Sequence, residues 1–141
     1  MTKKRGTISQ LRHQRDEDLM RAFQQELAGR PHILLPQVLE AVVSSPSKRF
    51  WVTSERASIV IYSMMAGDKL QGMLPLKRKM FREIYRRVMR LKRNYPQLSI
   101  SLLTEQVVNE RAPEFYITPQ SAKVIISRIR KRRRIHNHRI R

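Results

Sequence analysis

Apolar residues recur at spacings of three and four in several stretches of the chain, the pattern of helices with one buried face. Leu19, Phe23 and Leu27 form one such stripe, and Met80, Ile84, Val88 and Leu91 form another. They predict helices over about 9–28 and 75–93. Gly29 and Asn94 follow these stripes, residue types that tolerate the left-handed closure of a helix. Pro31 and Pro96 then block continuation. Val38 and Val42, and likewise Leu103 and Val107, mark shorter helices over about 35–45 and 100–110. Next come Phe50-Trp51-Val52 and Phe115-Tyr116-Ile117, read as apolar plugs that pin a turn to the core, with one short extended stretch allowed. Thr53 and Thr118 then stand as N-caps, and Pro119 occupies a first helical position, where its missing N–H costs nothing. Ala57, Val60, Ile61 and Met64, and Ala122, Ile125, Ile126 and Ile129, give the inward faces of two further helices. The fold class expected is all-α.

These elements repeat. Shifted by 65 residues, positions 11–66 align with 76–131 without a gap, and ten positions are identical, among them Arg21/Arg86, Val42/Val107, Phe50/Phe115, Thr53/Thr118 and Ile61/Ile126. Chance would give about three or four for average residue usage. Val38/Leu103, Trp51/Tyr116 and Met64/Ile129 keep their apolar character in register. The organisation expected is a basic arm (1–8), a three-helix unit (9–66), a linker (67–74), a second unit (75–130) and a basic tail (131–141). Within each unit, Ala57 or Ala122 is expected to let the third helix pack closely across the second.

A capped third helix packed across a second is similar to the plan of helix-turn-helix DNA-binding modules as a class. The intervening turn of about eight residues departs from the tight form, which places the unit among looser or winged variants. That resemblance implies that the third helix faces the nucleic acid. The bland alternative is a helical repeat that only packs, with its charges on a solvated face.

Charge shifts the balance. Thirty Lys and Arg against eleven Asp and Glu give a net charge of +19 and a pI near 11.5. A polyphosphate is the natural counter-surface, because neutralising phosphates releases condensed counterions. Arg, whose planar fork matches phosphate and guanine, outnumbers Lys. By segment the excess lies in the second unit and the tail, while the first unit is close to neutral. The second unit is therefore the expected reader, through Gln120, Ser121, Lys123, Ser127, Arg128 and Arg130. Gln and Arg suit base edges; Lys and Ser suit phosphates. The tail residues Lys131, Arg132, Arg133 and Arg134 would extend that helix or lie in a groove as an arm. Arg56 and Ser58 are the matching candidates of the first unit, beside a repulsive Glu55, so this unit is expected to dock weakly or to meet a protein partner. Lys77, Arg78 and Lys79, and Lys3, Lys4 and Arg5 of the arm, complete the candidate set.

Other chemistry is poorly provided for. The chain has no cysteine, which removes disulfides and thiolate zinc sites. His136 and His138 lack rigid co-ligands in a basic segment that repels cations. Asp16, Glu17 and Asp18 are adjacent, so on a helix they diverge and cannot share one metal. No phosphate-cradling glycine loop or nucleophile elbow is present. Neither an enzyme nor a cofactor is expected. No apolar run approaches the length of a membrane span and no secretory apolar segment follows the basic N-terminus, so a cytoplasmic or nucleoid-associated location without membrane contact is expected. Duplex DNA is the expected partner. RNA or ribosome association, and a packaging or assembly role, are the competing readings.

Overall fold

The computed structural model describes residues 3–140, and side chains over 8–139. Six helices follow one another: α1 (Lys3–Ala28), α2 (Leu35–Val43), α3 (Ser54–Met65), α4 (Pro75–Asn94), α5 (Ile100–Val108) and α6 (Pro119–Ile140). No strand occurs among the described residues; one isolated antiparallel bridge joins Ser47 and Ala112. Thr53 and Thr118 cap as expected, each Oγ1 accepting from the backbone N–H three residues on, of Arg56 and Ser121, both at 3.1 Å.

The helices do not bundle in chain order. α1 and α2 pack with α6, whereas α4 and α5 pack with α3. Each third helix has left the second helix of its own segment and covers that of the other, which corrects the expected packing of α3 on α2 and of α6 on α5. Two cores result. Leu19, Phe23, Val38 and Val42 meet Phe115, Ala122, Ile125 and Ile126; Ile84, Val88, Leu103 and Val107 meet Phe50, Ala57, Val60 and Ile61. The apolar spacing fixed which face of each helix is buried. It could not fix against which partner, because the stripes of α3 and α6 are nearly interchangeable.

The segments 44–53 and 109–118 carry the exchange, and their bonds are reciprocal. Ser47 N–H donates to the Ala112 carbonyl and Ala112 N–H to that of Ser47, both at 3.0 Å. Phe50 N–H donates to Val108 O at 3.0 Å, and Phe115 N–H to Val43 O at 3.1 Å. Each bond becomes its counterpart when 65 is added to one partner and subtracted from the other. That is the mark of a twofold relation, as at an isologous interface. The Phe50 and Tyr116 rings stack at 6.1 Å across this junction. Arg49 fastens it, donating to Phe50 O, Val52 O and Asn109 Oδ1 with its guanidinium beside Trp51. Burial there lowers the pKa of Arg49 from its ordinary value.

A buried carboxylate anchors α1 to this junction. Asp18, 2% exposed, accepts from Arg21 Nε and from Lys48 N–H, both at 2.8 Å. At the matching place Glu83 pairs with Arg86, but Pro113 stands where Lys48 would be and has no N–H to give. The Glu83 carboxylate is instead completed by Arg87 at 2.7 Å, and these arginines hold its pKa below the ordinary range.

Three details differ from the expected elements. Helix α1 begins at Lys3, so residues 3–8 belong to it and not to a separate arm. The basic tail is the last part of α6, helical to Ile140. Neither Gly29 nor Asn94 closes its helix left-handed; positive φ occurs at Gly67, Leu70 and Tyr116. Gly67, at φ +103°, turns the chain out of α3, and Leu70 then returns into the core at 6% exposure.

Candidate nucleic-acid interface

Buried Ala122, Ile125 and Ile126 hold α6 against α1 and α2, so its other face is turned outward. Gln120, Ser121, Lys123, Ser127, Arg128 and Arg130 are all exposed, as are Lys131, Arg132, Arg133 and Arg134. Arg130 is partly committed, its guanidinium lying 4.9 Å over the Phe23 ring. Because α6 has crossed to the other bundle, its first half borders α1. An open cleft there is lined by Arg12 and Arg15 from α1 and by Gln120, Ser121, Val124 and Arg128 from α6. Three arginines thus line one cleft beside the first turns of α6. Arg15 is partly neutralised by Asp16 at 2.9 Å.

Arg12 and Arg15 were not among the residues expected here. Reading α6 against its own segment hides them, since they lie more than a hundred positions away in the chain. The equivalence of Arg12 with Lys77, basic at matching places, was the one available signal.

On the other side of the crossing, His13, Asp16 and Glu17 face Ile129, Arg132 and Arg133. Asp18 turns into the core, whereas Asp16 and Glu17 both border this cleft, paired with Arg15 and His13. Among the described residues no group of three His, Cys, Asp or Glu is placed to hold a metal ion.

A second cleft occupies the matching place between α3 and α4. It contains Val52, Arg56, Lys77 and Met80, the counterparts of Ile117, Ser121, Arg12 and Arg15. Here the linker crosses the opening and adds Asp68, Gln71 and Gly72 to its wall. Ser63 Oγ donates to Asp68 Oδ2 at 2.7 Å and Leu70 N–H to Oδ1 at 2.8 Å; these bonds hold the Asp68 carboxyl below its ordinary pKa and keep it charged. Ser58 is only half-exposed and lines a different groove, between α3 and α5.

The basic strip at the start of α4 is divided. Lys77 is exposed in the second cleft, Arg78 reaches the Met73 carbonyl at 3.3 Å, and Lys79 pairs with Glu114 at 2.8 Å. The side chains of Lys3, Lys4 and Arg5 lie outside the described ones.

Exchange also redistributes charge. Helices α1, α2 and α6 together carry fourteen Lys and Arg against five Asp and Glu; α3, α4 and α5 carry ten against three. The near-neutral first segment of the sequence therefore has no near-neutral counterpart in space. No described helix is long and apolar enough to cross a membrane. Comparison with known proteins gives no matching family model, no matching curated protein and no matching solved structure.

Proposed function

We propose that this chain is a duplicated, single-chain DNA-binding protein of the cytoplasm, and that it grips duplex DNA through the α6–α1 cleft and the basic extension of α6. The observation that carries the reading is that Arg12 and Arg15 of α1 line one open cleft with Gln120, Ser121 and Arg128 of α6. Arginines supply phosphate contacts and guanine contacts of fork geometry, and glutamine suits adenine. The rest of α6, exposed and basic to Arg139, would follow the backbone and add affinity without sequence reading. Regulation, DNA architecture and service to a phage or mobile element are all compatible uses of such a grip.

An electrophoretic shift titration tests this. Duplex affinity should fall steeply with salt, with a log–log slope of about −0.9 for each phosphate contacted. Lys123→Ala with Arg128→Ala should weaken binding about tenfold or more and reduce the slope by about two. Absence of duplex binding, or a flat salt response, refutes the reading. Structured RNA that competes better than duplex DNA would move the target to RNA.

A further inference from the structure

We infer that the cognate duplex is a pseudo-palindrome: two inverted half-sites of unequal sequence, the stronger held by the α6–α1 cleft and the weaker by the α3–α4 cleft. This rests on the DNA-binding reading above and goes beyond it, because it fixes the symmetry of the target.

The argument starts from the junction. A tandem chain whose two segments each formed their own bundle could relate them in any way, a simple translation included, and would suit a direct repeat. Here the paired bonds of Ser47 with Ala112, and of Phe50 and Phe115 with Val108 and Val43, relate the segments by a twofold operation. That rotation carries the place of one cleft onto the place of the other. Duplex DNA has twofold axes of its own, perpendicular to the helix. A protein twofold aligned with one of them meets the two strands equivalently, which is why dimeric readers pair with inverted half-sites. This chain has the symmetry of such a dimer within one polypeptide.

The halves of the site must differ because the clefts do. One offers Arg12, Arg15 and Arg128 beside Ser121. The other offers Lys77 and Arg56, places Met80 where Arg15 would be, and carries the ionised Asp68 in its wall. A homodimer cannot hold such a difference and reads identical half-sites. A fused pair can, and the unequal linings give the two halves different sequence demands. The linker explains the inequality physically. After α3 the chain must return to start α4, and Leu70 is drawn into the core on the way, so the segment lies over the second cleft. After its matching point α6 runs on as a helix and leaves the first cleft open.

The test is selection of the full chain against random duplexes spanning several helical turns, followed by strand-cleavage footprinting on the selected sequence. The wild type, Arg12→Ala/Arg128→Ala and Arg56→Ala/Lys77→Ala are compared, with circular dichroism and thermal melts confirming that each exposed substitution leaves the fold intact. An inverted two-part consensus is expected. The first variant should lose protection mainly over the better-defined half, the second mainly over the other, with a smaller loss of affinity. A direct repeat, or one undivided element whose protection is unchanged by Arg56→Ala/Lys77→Ala, overturns this inference and leaves the DNA-binding reading intact. Failure of the wild type to retain any duplex above a neutral matrix overturns both.

Discussion

Removing the charge of Asp18 should weaken the protein far more than removing that of Glu17, its neighbour. Asp18 is buried and its two oxygens join two parts of the fold: α1, through Arg21 one turn on, and the crossing segment, through Lys48. In Asp18→Asn the amide can still accept one bond, but its NH2 faces either a guanidinium or a backbone N–H, both donors. One charge-assisted bond is therefore lost and one donor is left facing another. A hydrogen bond to a charged group contributes about 1.5–3 kcal/mol. Arg21 keeps about a third of its side chain in water and recovers part of that through hydration, which brings the expected cost to about 1–2 kcal/mol. Glu17 is mostly solvent-exposed and its contact with His13 is a surface pair, so Glu17→Gln should cost under about 0.5 kcal/mol. Urea unfolding followed by circular dichroism reads the difference as a lowered midpoint at constant slope. Equal midpoints for the two variants would refute the assignment of Asp18 as the anchor between α1 and the crossing segment.

Two further outcomes follow from the exchanged architecture and the junction. A fragment of residues 1–66 holds α1, α2 and α3 but lacks the helix that completes its core, so it should fold only by trading α3 with a second copy; sedimentation should find a helical dimer and an unfolded monomer, and a stable folded monomer would contradict the exchange. Burial is the first cause that pushes the Tyr116 phenol up to about 12. The native state thus keeps a proton that the unfolded chain begins to release near pH 10, so stability should fall as pH rises from 10 towards 12; Tyr116→Phe should flatten that decline in urea midpoints, and an unchanged pH dependence would remove Tyr116 as its source.

The boundaries of the helices were largely legible in the sequence because they depend on local chemistry. Thr53 and Thr118 announce their helices, and the stripes through Phe23, Ile84 and Ile126 name their buried faces. What stayed hidden was which stripe meets which. Val42 and Val107 are the same residue at matching places, so a third helix finds almost the same groove on either, and period alone carries no preference between them. The choice is made by the crossing segments, where Phe50 and Phe115 each enter the opposite core. The same ambiguity concealed half of the candidate site: Gln120 and Arg128 were readable as an outward helix face, whereas Arg12 and Arg15 join them only after α6 has crossed over.

Exchange also sets an order of events during synthesis. The chain leaves the ribosome from its N-terminus, and domains generally fold as units in that direction. Here α1 and α2 emerge first with Leu19, Phe23 and Val42 uncovered, while the helix that covers them begins only at Pro119. The first bundle must therefore wait for nearly the whole chain. The second, built from α3, α4 and α5, is complete by Ala112 and Tyr116 and can assemble earlier. Translation should thus produce a nascent protein whose later-made half closes before its earlier-made half. Meanwhile the vacant α1–α2 groove is open to α3 from a neighbouring nascent chain, so polysome crowding would favour interlinked chains.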